Sequence, residues 1–199
     1  MKNRVGDKVD LKLPDSNIVY FPNFFSEDEA EFYFSVLRKE TTWRQDNITV
    51  FGKTYAQPRL TALYANNDKP YSYSNITMHP NIFTPILFKI KSIIEANLKE
   101  QFSTCLLNLY RNGQDSNGWH ADDEKELGEN PVIVSVSFGA TRFFHLKHKT
   151  DKNLKHKMEL ANGSVLVMKG KTQHFWKHQI PKTARPIGER VNLTFRVIQ

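Results

Sequence analysis

The sequence predicts an α+β fold in which helices come first and an antiparallel sandwich or barrel carries the chemistry. Two observations carry that expectation. Apolar residues recur at three-and-four spacing in two early segments, and from Cys105 onward the chain turns into short β-rich runs separated by turn material. Size agrees: 199 residues, 39% hydrophobic and 25% charged, suit one domain (1–199) with a sizeable core.

The first helix is expected within Phe24–Glu40. Ser26 followed by Glu29 forms a capping box, and Ala30, Tyr33, Phe34 and Leu37 then fall on one face. The stretch "ITVFGKTYAQPRLTALY" (48–64) holds two β-rich runs with Gly52 between them, which reads as a hairpin turn. That places Phe51 at an exposed tip beside Lys53, where the bland alternative is a lone surface aromatic. A second helix is expected over His79–Glu100 from Phe83, Ile86, Leu87, Ile90 and Ile94. Strands follow at "CLLNLYR", "VIVSVSF", "TRFFHLK", "HKMEL", "GSVLVMK", "HFWKHQI" and "RVNLTFRVI".

A net charge of +7 points to an anionic partner, nucleic acid or a membrane surface. There is no run of about 18 apolar residues, so no membrane-spanning helix is expected. The first residues lack the apolar segment of a secretory signal, and Cys105 is the only cysteine, so no intrachain disulfide forms and a reducing cytoplasm fits. No linker, repeat or low-complexity tract divides the chain.

"NGWHADDE" supplies His120 and Asp122 as an H-x-D pair, whose side chains share a face on extended backbone. Two histidines and one carboxylate leave open positions on a metal, the arrangement of non-haem Fe(II) oxygenases. The third ligand must come from a distant strand. His174 and His178, four apart in "QHFWKHQIP", share a strand face in this reading, and spacing does not choose between them. His145, His148 and His156 lie in or near a lysine-rich loop and are poorer candidates. In "ERVNLTFRVI", Arg190, Asn192, Thr194 and Arg196 share a face. The alternative is an exposed edge with its charges outward. If the face is internal, its two arginines stand about 20 Å apart along the strand, and their long arms suit the ends of a short dicarboxylate.

Taken together, N-x-Y (Asn108, Tyr110), H-x-D (His120, Asp122), H-x-x-P (His178, Pro181) and R-V-N-L-T-F-R (Arg190 to Arg196) resemble the AlkB family of Fe(II)/2-oxoglutarate dioxygenases that repair alkylated nucleic acid, matching in order over roughly residues 48 to 198. The resemblance implies a double-stranded β-helix (jelly-roll) core over about 105–198, with N-terminal helices and a nucleotide-recognition lid over about 48–75. It implies Fe(II) on His120, Asp122 and His178, because the family's distal histidine stands two residues after a tryptophan, here Trp176, and three before a proline. It implies 2-oxoglutarate and O2 as cosubstrates, the keto acid held by Asn108, Tyr110, Arg190, Asn192 and Arg196. One departure stands out. Relatives often place an acidic residue after Arg142, where this chain has Phe143, which puts any salt bridge there in doubt.

The same resemblance implies alkylated DNA as partner, with RNA as the alternative, and a base flipped from its stack to expose the methyl group. Tyr71 and Tyr73 resemble the family's base-cradling lid, and Glu124 the acidic residue that reads the base edge. "VFGK" followed by "PR" most resembles the branch that repairs double-stranded DNA, in which the phenylalanine is a wedge. Phe51 would then fill the vacated stack, with Arg59 near the gap. The expected product is formaldehyde, released from 1-methyladenine or 3-methylcytosine. The lysines of Leu146–Lys157 are expected either to grip phosphates or to form a solvated loop. A monomer without membrane attachment is expected, cytoplasmic, or nuclear in a eukaryote. Two other classes compete: an oxygenase of protein or small molecules, for which the basic charge would be idle, and a non-catalytic nucleic-acid-binding domain, for which the metal set would be idle.

Overall fold

The computed structural model describes residues 4–50, 52–67, 71–73 and 76–198, with the backbone alone at 49, 50, 71–73, 76 and 77. In chain order the first half forms β1 (Val9–Asp10), β2 (Asn17–Phe21), α1 (Glu27–Glu40), β3 (Asn47–Val50), β4 (Lys53–Ala56), β5 (Leu60–Ala65), β6 (Tyr71–Tyr73), β7 (Ile76–Met78), β8 (Asn81–Ile82) and α2 (Pro85–Leu98). The second half forms β9 (Thr104–Tyr110), β10 (Asn117–His120), β11 (Ile133–Gly139), β12 (Arg142–His148), β13 (Lys155–Leu160), β14 (Val165–Lys169), α3 (Thr172–Phe175), β15 (Trp176–Ile180) and β16 (Arg190–Arg196).

The strands make an eight-stranded sheet, β1-β2-β14-β11-β16-β9-β5-β8, and a four-stranded sheet, β10-β15-β12-β13. Pairing is antiparallel except between β5 and β8. Two hydrophobic cores result. One joins α1 and α2 to the larger sheet through Ala30, Tyr33, Leu37, Leu87, Ile90 and Ile94 against residues such as Leu107, Val136, Leu193 and Phe195. The other lies between the sheets, where Leu106, Ile133 and Leu166 share a cluster with Phe144, Leu146 and Trp176. The mostly sheet architecture fits a jelly roll.

β16 shows how this layering positions the site. It is buried along its whole length. Val191, Leu193 and Phe195 enter the helix-side core, where full burial of each is worth roughly 1.5–3 kcal/mol. The alternate residues Arg190, Asn192, Thr194 and Arg196 line a pocket between the sheets. The polar face is internal, and the exposed-edge alternative is excluded.

Local chemistry sets the boundaries. Ser26 caps α1 reciprocally with Glu29, whose carboxylate accepts from the Ser26 N–H at 3.0 Å. Arg4 clasps the same carboxylate through Nη1 at 2.8 Å and Nη2 at 2.6 Å. α2 begins at Pro85 rather than at residue 79, with Thr84 Oγ1 accepting from the Leu87 N–H at 3.3 Å. Proline suits the first helical position, but it disfavours helical backbone at the residue before it, so the helix stops there and Asn81–Ile82 pairs with β5 instead. β3 and β4 form the expected hairpin, with Val50 opposite Lys53 and Gly52 at φ +74°. Phe51 lies outside the described residues. No described helix is long and apolar enough to cross a membrane.

Candidate metal centre and pocket

His120, Asp122 and His178 converge although they come from different places. β10 ends at His120, Asp122 follows just beyond it, and β15 places His178 opposite His120 in the ladder. One ligand atom from each lies within 4.8 Å of the others. The two imidazole rings stand 4.2 Å apart at 62°, and His178 Nε2 lies 3.4 Å from Asp122 Oδ2. The other carboxylate oxygen, Oδ1, accepts from Arg196 Nη2.

His174 is separated from this cluster. The expectation that it shares a strand face with His178 is corrected, because the chain forms the short helix α3 through Phe175 and becomes strand only at Trp176. His174 is exposed on that helix, while its neighbour Gln173 is buried and accepts from the Asp122 N–H at 3.0 Å.

The protonation states suit metal binding, which requires neutral imidazoles and an ionised carboxylate. Burial pushes His178 down to about 3, and the neighbouring His120 and Arg196 add to the shift against the pull of Asp122. Burial likewise lowers His120. Burial alone would raise the Asp122 carboxyl, but Arg196, His178 and His120 hold it below the usual carboxylate range. The Gly118 carbonyl lies 2.8 Å from His120 Nδ1, so a proton there leaves Nε2 as the metal donor, with the Asn117 amide 3.3 Å from it. This donor set fits Fe(II).

The pocket beside these ligands is lined by Arg59, Asn108, Tyr110, Asn117, Asn192, Thr194 and both β16 arginines, among others. Arg190 is 1% exposed, and burial pulls its guanidinium down to about 10. Its Nη2 donates to Ser137 Oγ at 2.9 Å, whereas Nε and Nη1 have no hydrogen-bond partner among the described residues. A buried guanidinium with open donors is costly by itself and fits an anionic ligand such as a carboxylate. The Tyr110 ring lies 5.2 Å from its Cζ. Asn192 is tied to Ser135 Oγ at 2.8 Å and to the Val136 carbonyl at 2.9 Å. Asn108 Oδ1 accepts from Arg59 Nε at 2.8 Å.

Arg59 is therefore a wall of the pocket, 3% exposed, with Nη1 on the Ser116 carbonyl at 3.2 Å. Glu124 is half-buried two residues past Asp122, at the start of a 3-10 turn (Lys125–Leu127). Tyr71 and Tyr73 lie on β6, which pairs with β7; their side chains lie outside the described residues. The residue after Arg142 faces away from it. Arg142 is buried and donates to the carbonyls of Asn112, Asp115 and Pro181 at 3.2, 2.8 and 2.8 Å. Phe143 sits on the other face of β12 with Lys157 Nζ 3.8 Å over its ring, so Arg142 finds its partners in backbone carbonyls and in the nearby charge of Asp115 rather than in the residue that follows it. Sequence reasoning missed Gln173 and Asn117. Neither carries a periodic or motif signal of its own.

The model of the 2OG-Fe(II) oxygenase superfamily matches residues 17–196. The Alpha-ketoglutarate-dependent dioxygenase alkB homolog 3 of Mus musculus is 42% identical over 192 residues, covering 92% of this chain and 66% of its own length. The DNA oxidative demethylase ALKBH2 of Homo sapiens is 35% identical over 184 residues, 87% of this chain and 70% of that protein. The solved structure of OsALKBH1 superposes with a TM-score of 0.63 at 20% identity, covering 90% of this chain and 96% of that one, a likeness of fold. The chain thus spans about two thirds of the length of the alkB homolog 3 proteins it matches. The family model, these identities and the His-Asp-His cluster agree, and the chain belongs to the 2OG-Fe(II) oxygenase superfamily, in its AlkB family.

Proposed function

We propose that the protein is an Fe(II)/2-oxoglutarate-dependent dioxygenase that oxidatively demethylates 1-methyladenine and 3-methylcytosine in DNA, taking the flipped base into the pocket and releasing formaldehyde. The observation that carries this reading is the His120–Asp122–His178 set, half-buried at His120 and buried at the other two, sharing one pocket with Arg190, whose Nε and Nη1 are open. The name of one relative, DNA oxidative demethylase, supports the substrate class, and that of the other, Alpha-ketoglutarate-dependent dioxygenase, the reaction type. Bound iron supplies, with 2-oxoglutarate and O2, the hydroxylation of the N-methyl group, while the keto acid becomes succinate and CO2.

The residues divide the remaining work. His120, Asp122 and His178 hold the metal in the protonation states described. Arg190 receives one carboxylate of the keto acid through its open donors, and Arg196 serves both that ligand and Asp122. Asn108, Tyr110 and Asn192 shape the surrounding wall, and Arg59 fixes Asn108 from behind. Residues 48–75 act as the nucleotide-recognition lid over a catalytic core at 105–198. Within it Tyr71 and Tyr73 cradle the base, Phe51 replaces it in the stack, and Glu124 reads its edge. The hydroxymethylated base then loses its N–C bond to give formaldehyde and the repaired base. The protein works as a monomer and without a membrane.

The test is formaldehyde and succinate release from methylated single- and double-stranded DNA and RNA, side by side. Turnover on DNA that requires the methyl group supports the reading. Release from RNA alone makes the protein an RNA demethylase. Succinate formation indifferent to any methylated oligonucleotide points to a protein or small-molecule substrate.

A further inference from the structure

We infer that Gln173 is a positioning residue for the metal: its buried side-chain amide fixes the backbone of Asp122 and couples that ligand to the segment carrying His178. The inference rests on the assignment of Asp122 and His178 as metal ligands. Asp122 lies past the end of β10, outside the ladder that holds His120 against His178. Its backbone N–H is held by Gln173 Oε1 at 3.0 Å, and its side chain by Arg196. Gln173 belongs to α3, which runs directly into β15 and so into His178. One short segment therefore sets the place of two ligands.

The burial of this amide makes sense on that basis. Gln173 is 0% exposed, and its Nε2 has Met168 Sδ at 3.7 Å, a weak acceptor. A buried amide with one good bond and one poor one contributes little as packing alone, since an apolar side chain of similar volume fills the same space without the desolvation cost. What an apolar residue does not replace is the acceptor for the Asp122 N–H. Groups that orient a metal ligand in this way typically change metal affinity 10–100-fold when removed.

Two substitutions separate positioning from packing. Gln173→Met keeps volume and removes the acceptor, while Gln173→Asn keeps an amide that falls one methylene short of Asp122. Each is titrated with Co(II) in the presence of 2-oxoglutarate, followed by the visible spectrum of the bound ion, alongside the melting temperature of the metal-free protein. We expect Co(II) affinity to fall roughly 10–100-fold in both variants. The band shape should change, and the apparent KM for 2-oxoglutarate at saturating metal should stay near that of the parent. If whichever variant folds binds Co(II) within twofold of the parent with an unchanged spectrum, Gln173 only packs and the inference is overturned. Asp122→Ala is the control. Unimpaired Co(II) binding there overturns the ligand assignment itself, a failure distinct from that of Gln173.

Discussion

Arg196 donates to Oδ1 of Asp122, while Oδ2 of the same carboxylate lies 3.4 Å from Nε2 of His178. Arg196 thus bonds to Asp122 in the pocket that both line, whereas Arg190, at the other end of β16, donates to Ser137 and lies beside the Tyr110 ring. The two arginines should separate experimentally. Arg190→Met should raise the apparent KM for 2-oxoglutarate by at least a hundredfold, since a broken buried charge pair costs about 3–5 kcal/mol, and leave Co(II) affinity in its absence near that of the parent. Arg196→Met should weaken both. Steady-state KM and metal titration read the difference, and an unchanged KM in Arg190→Met contradicts the carboxylate role.

The ligand set has its own test. His120→Ala, Asp122→Ala and His178→Ala should each abolish turnover and metal binding, whereas His174→Ala should keep most of both, because His174 is exposed on α3. Chelation followed by Fe(II) add-back should restore the parent and none of the three.

Phe51→Ala should cut demethylation of 1-methyladenine in double-stranded DNA tenfold or more, about 1.4 kcal/mol per tenfold. A duplex with a flipped base leaves a gap that an apolar wedge fills, whereas a single strand has no closed stack. Loss on single strands should be far smaller. Equal losses on both substrates assign the residue to folding or to the pocket.

Acid should find the N-terminus of α1 early. Glu29 is lowered to about 2, chiefly by its bonds with Arg4 and against burial, with help from Ser26. A depressed carboxylate contributes stability that is complete above its unfolded value, near 4.3, and is lost as pH falls towards its folded one. Glu29→Gln should therefore destabilise the protein by about 1–2 kcal/mol at neutral pH, allowing for solvent screening of a partly exposed pair. The difference in melting temperature from the parent should close between about pH 4.5 and 2. A gap that does not change with pH rejects this origin.

Neutralising Lys149, Lys152 and Lys155 together should weaken DNA binding for all sequences and flatten the plot of log K against log salt, by up to about 0.9 per lost duplex phosphate contact. Lys149 is already paired with Asp123 at 2.8 Å, so its share should be smaller than those of Lys152 and Lys155, which are exposed. An unchanged slope returns these lysines, which sit on the turn between β12 and β13 and at the start of β13, to ordinary solvated charge.

Much of this architecture is readable from residue order. Period-two patterning marks seven of the eight strands from residue 104 onward, all but β10, and the Ser26–Glu29 box marks the start of α1. H-x-D and the alternate polar residues of β16 foreshadow a metal and an anion pocket, because alternation alone decides which side chains share a face. Other features are set by tertiary context. The change from α3 to strand at Trp176 separates His174 from His178, and nothing in "QHFWKHQ" encodes that break. Short β2 and β10 depend on partners far along the chain. The role of Gln173 exists only once Asp122 is folded against it.

The central position of β16 has a consequence for biosynthesis. In the larger sheet it sits between β9 and β11, yet among the described strands it is the last in chain order. Until residues 190–196 have been made, the edges of β9 and β11 that face β16 lack their backbone partners, and unpaired edges are where strands of other chains add. Every nascent copy passes through this window without Arg190, Asn192 and Arg196. The pocket and the closure of the sheet therefore depend on the same seven residues, and a chain stalled before them has neither.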